Sequence, residues 1–204
     1  MRQWIARLWF GCLALVLIVS ACNAPAAFPT STPSTGVTTF DPPIILSAFT
    51  MTAADGSPAD LATLKGHYTL LSFGYTHCPD VCPITLGYFT QIKAALAEDA
   101  AGLTILFVSV DGARDTPERL REYLNNFDKD FLGFTGDDAA ARALIGQFGG
   151  QFTLNNGGGL RDNYTVDHTA SSYLVNPQGE IIRKFSYGSE VEIVAKAIRQ
   201  ALKG

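Results

Sequence analysis

Two cysteines spaced C-x-x-x-C, Cys78 and Cys82, are the residues of this chain best suited to chemistry. They close the stretch YTLLSFGYTHCPDVCP, residues 68–83. Its first half, an apolar run through Leu70, Leu71 and Phe73, has the composition of a buried strand. In its second half Asp80 stands where a helix N-cap belongs. Val81-Cys82-Pro83 then supply a first helical turn, where proline is tolerated because early N–H groups lack intrahelical partners. A strand thus delivers two thiols to the start of a helix, whose dipole favours thiolate over thiol. Two soft sulfurs at i and i+4 suit Cu(I) and also Zn(II), and they can equally close as a reversible disulfide.

A third ligand would separate these chemistries, and the chain has only three histidines. His77 adjoins Cys78, and neighbouring side chains usually point apart. His67 precedes the strand and lies at its opposite end from Cys78. His168 follows Val166-Asp167 just before another apolar strand. If that strand lies beside the cysteine strand, the loop brings His168 to both thiols. A histidine before a strand is more often a structural hydrogen-bonder, so spacing alone leaves both readings open.

The elements that must position these residues follow from the rest of the sequence. The N-terminus carries Arg2 and Arg7, then an uncharged apolar stretch over residues 8–21 that is too short to span a bilayer comfortably and suits a signal-peptide core. It ends in Val19-Ser20-Ala21-Cys22, which resembles a bacterial lipobox, so residues 1–21 are expected to be a lipoprotein signal and Cys22 the lipidated residue. Residues 22–43 hold five of the ten prolines and read as a flexible Pro/Ser/Thr-rich tether. Residues 44–204 are left as one domain, extracytoplasmic and lipid-anchored to a bacterial cell-envelope membrane. With the leader set aside, thirteen basic residues face nineteen acidic ones, a charge of −6 that gives no electrostatic case for nucleic acid. Cys78 and Cys82 are then the remaining thiols, in a compartment where they can oxidise.

Within the domain, Asp55-Gly56 marks an N-terminal hairpin between Phe49 and Leu64. The cysteine strand follows, then a helix over 80–97 with Leu86, Phe89, Ile92 and Leu96 on its buried face. Leu103–Val110 is a second buried strand. Thr116 with Pro117 and Glu118 starts the next helix, residues 131–135 form a short strand, and Asp137 opens a helix that stops at Gly149-Gly150. Residues 151–154 and 163–167 pair as an inserted β-hairpin around a glycine-rich, mobile loop. Ser172–Asn176 and Glu180–Phe185 are strands joined by Asn176-Pro177-Gln178-Gly179, and Ser189 with Glu192 reads as the capping box of a last helix. The alternation of strands and helices predicts an α/β fold with a mainly parallel sheet covered on both faces, to which the terminal strand pair adds an antiparallel edge. Thiols at the first major strand-to-helix junction make it resemble a thioredoxin-like fold.

Three segments sharpen this into a family resemblance. FGYTHCPDVCP (73–83), SVDGARDTPE (109–118) and VDHTASSYLV (166–175) resemble, in order, the signatures of the Sco/SenC family of copper-handling proteins. The similarity runs from about Phe49 to the C-terminus. It implies that Cys78, Cys82 and His168 bind one copper ion, as Cu(I) and Cu(II). It further implies copper delivery to, or thiol reduction at, the CuA site of cytochrome c oxidase subunit II. Other copper chaperones and the membrane, through the lipid anchor, are the remaining implied partners. On this reading the chain is a metallochaperone without turnover.

Around that site, Asp80 is expected to cap the helix, and Asp167 either orients His168 or is an exposed loop carboxylate. Asp111, Arg114 and Asp115 are expected to structure the adjoining loop. Two departures from the family pattern, Gly112-Ala113 and Asn176, lie outside the expected ligands and bear on local loop structure. The competing reading is an extracytoplasmic thiol–disulfide oxidoreductase using Cys78 and Cys82. Against it, thioredoxin-type enzymes usually carry C-x-x-C and a cis-proline before the strand facing the thiols, and residues 167–171 contain no proline. The Pro-x-x-x-Thr-x-x-Cys pattern of peroxiredoxins is also absent.

Overall fold

The computed structural model describes residues 36–155 and 164–203. The expected signal segment, Cys22, most of the expected tether and the glycine-rich stretch 156–163 lie outside the described residues. The described residues form ten strands: β1 (Val37–Ile45), β2 (Thr50–Ala53), β3 (Pro58–Asp60), β4 (Tyr68–Gly74), β5 (Leu103–Ser109), β6 (Leu132–Thr135), β7 (Phe152–Asn155), β8 (Thr165–His168), β9 (Ser172–Val175) and β10 (Glu180–Phe185). The α-helices are α1 (Val81–Leu96), α2 (Pro117–Leu124), α3 (Asp138–Gln147) and α4 (Val191–Lys203). None of the described helices is long and apolar enough to cross a membrane.

Eight strands form one sheet in the order β1-β10-β9-β4-β5-β6-β2-β3, and β7 and β8 form a separate pair. The expected helical cover on both faces agrees with the continuous burial of Leu70, Leu71 and Phe73 in β4 and of Ile105, Leu106 and Phe107 in β5. The expected mainly parallel pairing is corrected. Only β4–β5 and β5–β6 are parallel. The pairings β1–β10, β10–β9, β9–β4, β6–β2 and β2–β3 are antiparallel. The physical reason is that only α1 and α2 are crossovers between parallel neighbours. Helix α3 leads into the inserted hairpin β7–β8 instead, and the chain re-enters the sheet at β9, antiparallel to β4.

Two further expectations shift at the edges. The tether was expected to run to Pro43, but Val37–Ile45 is already a strand paired with β10, with Val37 opposite Phe185. Val37 and Phe40 pack against the core, apolar contacts hidden among the prolines that suggested a tether. Ser189 does not cap α4: its hydroxyl donates to the Ser186 carbonyl at 2.8 Å, and the helix begins at Val191. Thr116 and Asp137 do cap their helices, accepting from the N–H groups of Arg119 and Ala140. The hairpin at Asp55-Gly56 is β2–β3.

This topology gathers three loops at one end of the sheet. Strands β4 and β5 finish together, Gly74 opposite Ser109, so residues 75–80 and 110–116 leave the same edge. Strand β9 enters there, Ser172 opposite Ser72, which brings the end of β8 to that edge too. Crevices beyond the carboxyl ends of parallel strands are the usual place for ligands in α/β sheets.

Candidate metal centre

Cys82 is the second residue of α1 and is 1% exposed. Its thiol fits because residue 74 is glycine. A Cβ at that position would stand 2.7 Å from Cys82 Sγ and 2.6 Å from Phe107 Cζ. Burial, the leading cause, pushes the Cys82 thiol well above the ordinary thiol range, and Cys78 and Asp115 add to this. Desolvation therefore outweighs the helix dipole, which was expected to favour thiolate here.

Cys78 sits at the rim, half-buried, before the helix begins. Its Sγ accepts a hydrogen bond from the backbone N–H of Cys82 at 3.4 Å. That is the work of an N-cap side chain. Asp80 occupies the N-cap position but makes no side-chain capping bond and is exposed, so the expected capping by its carboxylate is replaced by the Cys78 sulfur.

His168 is the last residue of β8, opposite Phe152 of β7. Its Nε2 lies 3.5 Å from Cys82 Sγ. Its Nδ1 lies 3.1 Å from the carbonyl of Thr169. A carbonyl only accepts, so Nδ1 carries the proton and the Nε2 lone pair faces the thiol. Burial lowers the affinity of His168 for a second proton, with the Thr169 carbonyl and Asp167 opposing in part. The metal-free pair is then neutral on both sides, a thiol proton directed at an imidazole nitrogen. Asp167 is exposed and makes no hydrogen bond to the ring; of its two expected roles, the orienting one falls to Thr169. Tyr75 meets the imidazole edge-on, centroids 6.2 Å apart at 89°.

The structure thus places Cys82 and His168 together, with Cys78 alongside. The three donor atoms are not yet as tightly grouped as those of His77, Asp111 and Asp115, which lie within 4.8 Å of one another. A three-donor set here would need Cys78 Sγ to leave the Cys82 N–H and approach the Cys82–His168 pair. The His77 group is a scaffold. Buried Asp115 accepts from Thr76 N, Thr76 Oγ1 and Ser109 Oγ at 2.9, 2.7 and 2.6 Å. His77 Nδ1 approaches it at 3.7 Å. Asp111 takes Arg114 Nε at 2.6 Å and the hydroxyl of Tyr164. Asp111 and Asp115 therefore tie the cysteine loop and the inserted hairpin to the end of β5, the loop-structuring role expected of them.

Gly74, Tyr75 and Tyr164 were missed by sequence reading. Gly74 had a usable signal, a glycine inside an apolar strand, which marks a close approach. Of the family departures, Gly112 packs against the carbonyl of Gly136 where a Cβ would collide. Asn176 accepts from the N–H groups of Gln178 and Glu180 through Oδ1, the turn-closing bonds an aspartate would make.

The chain is similar in sequence and fold to known proteins. The SCO2-like protein RT0576 of Rickettsia typhi is 33% identical over 156 residues, covering 76% of this chain and 75% of that protein. The structure of Bradyrhizobium japonicum ScoI with copper bound is 34% identical, with a TM-score of 0.68 over 77% of this chain and 99% of that one. Arabidopsis thaliana ScoI with copper bound is 25% identical, with a TM-score of 0.72 over 78% and 98%. The fold is shared with these thioredoxin-like proteins. The SCO1/SenC family model matches residues 38–203, from the first strand of the sheet to the end of its last helix, and the chain belongs to that family.

Proposed function

We propose that this chain is a copper-binding protein of cytochrome c oxidase assembly, which carries copper on Cys78, Cys82 and His168. Its destination is the CuA site of subunit II, as metal donor or as reductant of that site's thiols. The observation that carries the reading is the 3.5 Å approach of Cys82 Sγ to an imidazole Nε2, beside a second thiol at the same helix start. Two thiolates hold Cu(I), and the borderline imidazole nitrogen extends the set to Cu(II). The copper-bound ScoI relatives support the choice of cargo.

The residues define the proton balance. The thiol of Cys82 must lose its proton when a copper–sulfur bond forms, whereas neutral His168 already offers Nε2. Loading therefore releases protons, and transfer to acceptor thiols returns them to this chain. The buried Asp115 scaffold keeps the cysteine loop in place through both states. Anchoring through lipidated Cys22, outside the cytoplasm, is part of the same proposal and rests on the lipobox-like Val19-Ser20-Ala21-Cys22. Other copper chaperones are the expected donors.

Titration of the reduced protein with Cu(I) against a competing chelator, and with Cu(II) while recording absorption, tests the proposal. One tightly held ion and a sulfur-to-Cu(II) band are expected, both lost in Cys78→Ser and Cys82→Ser. His168→Ala should fold normally and bind copper more weakly; unchanged affinity would remove His168 from the site. The closeness of the two cysteines, Cys78 Sγ lying 3.4 Å from the Cys82 backbone nitrogen, favours one second reading, a thiol–disulfide oxidoreductase. Absence of tight copper binding together with rapid cycling of a Cys78–Cys82 disulfide would put that reading first.

A further inference from the structure

His168 stands at the end of a two-stranded hairpin that makes no pairing with the main sheet. Such a pair is marginal on its own, so the position of the imidazole depends on what pins the hairpin down. At the β7 side, Arg142 lies over the Phe152 ring at 4.1 Å and donates to the Phe152 carbonyl at 3.0 Å. At the β8 side the pin is Arg114. Its guanidinium lies 3.6 Å from the Tyr164 ring centroid, and Nη1 donates to the Tyr164 carbonyl at 3.0 Å. It also lies 5.7 Å from the Tyr75 ring, the ring that meets His168 edge-on. Asp111, buried at the end of β5, fixes the guanidinium through Nε, and the Tyr164 hydroxyl closes the triangle on the same carboxylate.

We infer that Arg114 is a positioning residue for His168, holding the imidazole toward Cys82 from two sides through Tyr164 and Tyr75. The inference rests on the proposed copper site. Only a planar fork performs both tasks, stacking on a ring while donating along two edges, so lysine is not an equivalent. A pin that acts through His168 affects the ion that needs the imidazole. Cu(II) binding is therefore sensitive to Arg114, while Cu(I), held by the two thiolates, is much less so.

The test compares Arg114→Ala, Arg114→Lys and Tyr164→Phe, each alone and combined with His168→Ala. Cu(I) and Cu(II) affinities and the sulfur-to-Cu(II) band are measured for each. Both Arg114 variants should weaken Cu(II) binding about tenfold to a hundredfold, the usual effect of losing a group that orients a metal ligand. The band should shift, and Cu(I) affinity should change far less. In the His168→Ala background the Arg114 substitutions should add nothing. Tyr164→Phe keeps the stacked ring and loses only the hydroxyl bond to Asp111, so its Cu(II) affinity should fall less than that of either Arg114 variant. An equal loss with and without His168, or full retention of Cu(II) affinity in Arg114→Lys, overturns the inference. NMR of the His168 ring nitrogens in the metal-free protein decides independently of copper. One Nδ1–H tautomer is expected in the unchanged chain and an averaged pattern in Arg114→Lys, and identical patterns overturn the inference. Absence of copper binding by the unchanged chain would instead defeat the proposed function, and the ring signals would still decide the role of Arg114.

Discussion

At the scale of single residues, Cys82 is a nucleophile kept quiet by burial, and Gly74 is what lets it sit there. Gly74→Ala would force a methyl against Cys82 Sγ and the Phe107 ring, neither of them the loose end of a flexible side chain. Overpacking of that kind costs about 1–3 kcal/mol. A lowered urea midpoint, together with weaker copper binding, is the expected result; an unchanged midpoint would mean that the strand end yields freely. The Cys82 proton gives a second prediction. The folded chain holds it to higher pH than the unfolded chain, where a thiol titrates near about 8.5. Its contribution to stability is therefore intact below that pH and is lost as pH rises above it, by at most about 1.4 kcal/mol per unit. Half-buried Tyr88, Tyr123 and Tyr164 act in the same sense, but only from about pH 10, where an unfolded tyrosine starts to ionise. Denaturation of the reduced, metal-free protein between about pH 8 and 10 should show the decline, and Cys82→Ala should flatten it.

At the scale of elements, the start of α1 shows both what the sequence made legible and what it hid. Proline at the third helical position and two cysteines around Asp80 fixed the helix start to the residue. The capping atom was not legible, because Asp80 is a far commoner cap than a cysteine sulfur and only the backbone turn decides which of them reaches the Cys82 N–H. The substitutions separate fold from metal here. Cys78→Ser retains an acceptor and should leave stability near its original value while abolishing tight Cu(I) binding. Cys78→Ala removes the acceptor and should cost about 1 kcal/mol. Asp80→Ala should stay within about 0.5 kcal/mol of the unchanged protein. A larger loss in Asp80→Ala than in Cys78→Ala, read from denaturant midpoints, would restore the carboxylate as cap. The inserted hairpin was legible from its polar, glycine-rich turn. Its pins were not, because Arg114 and Tyr164 are 50 residues apart in sequence and meet only through the fold.

At the scale of the molecule, the site depends on a sheet whose parallel centre was readable from β-α-β alternation and whose two flanking hairpins were readable from their turns, while the antiparallel docking of β9 on β4 and of β1 on β10 was not. The same blind spot misplaced the domain boundary. Proline-rich composition extended the expected tether to Pro43, yet strand pairing begins at Val37, opposite Phe185, and the Ser186 N–H donates to the Gly36 carbonyl at 2.8 Å. The boundary is testable by truncation. A chain of residues 36–204 keeps β1, whereas one of residues 44–204 strips most of it from β10 and exposes that strand's edge. Each lost backbone hydrogen bond is worth about 0.5–1.5 kcal/mol net, and the packing of Val37 and Phe40 goes with them. The shorter chain should therefore unfold at a clearly lower denaturant concentration, and its bare edge should make it more prone to self-association. Its copper stoichiometry should be unchanged. Strands β10 and β9 separate β1 from the cysteine strand β4, and none of the three proposed ligands touches the removed segment. Equal midpoints for the two chains would return residues 37–43 to the tether.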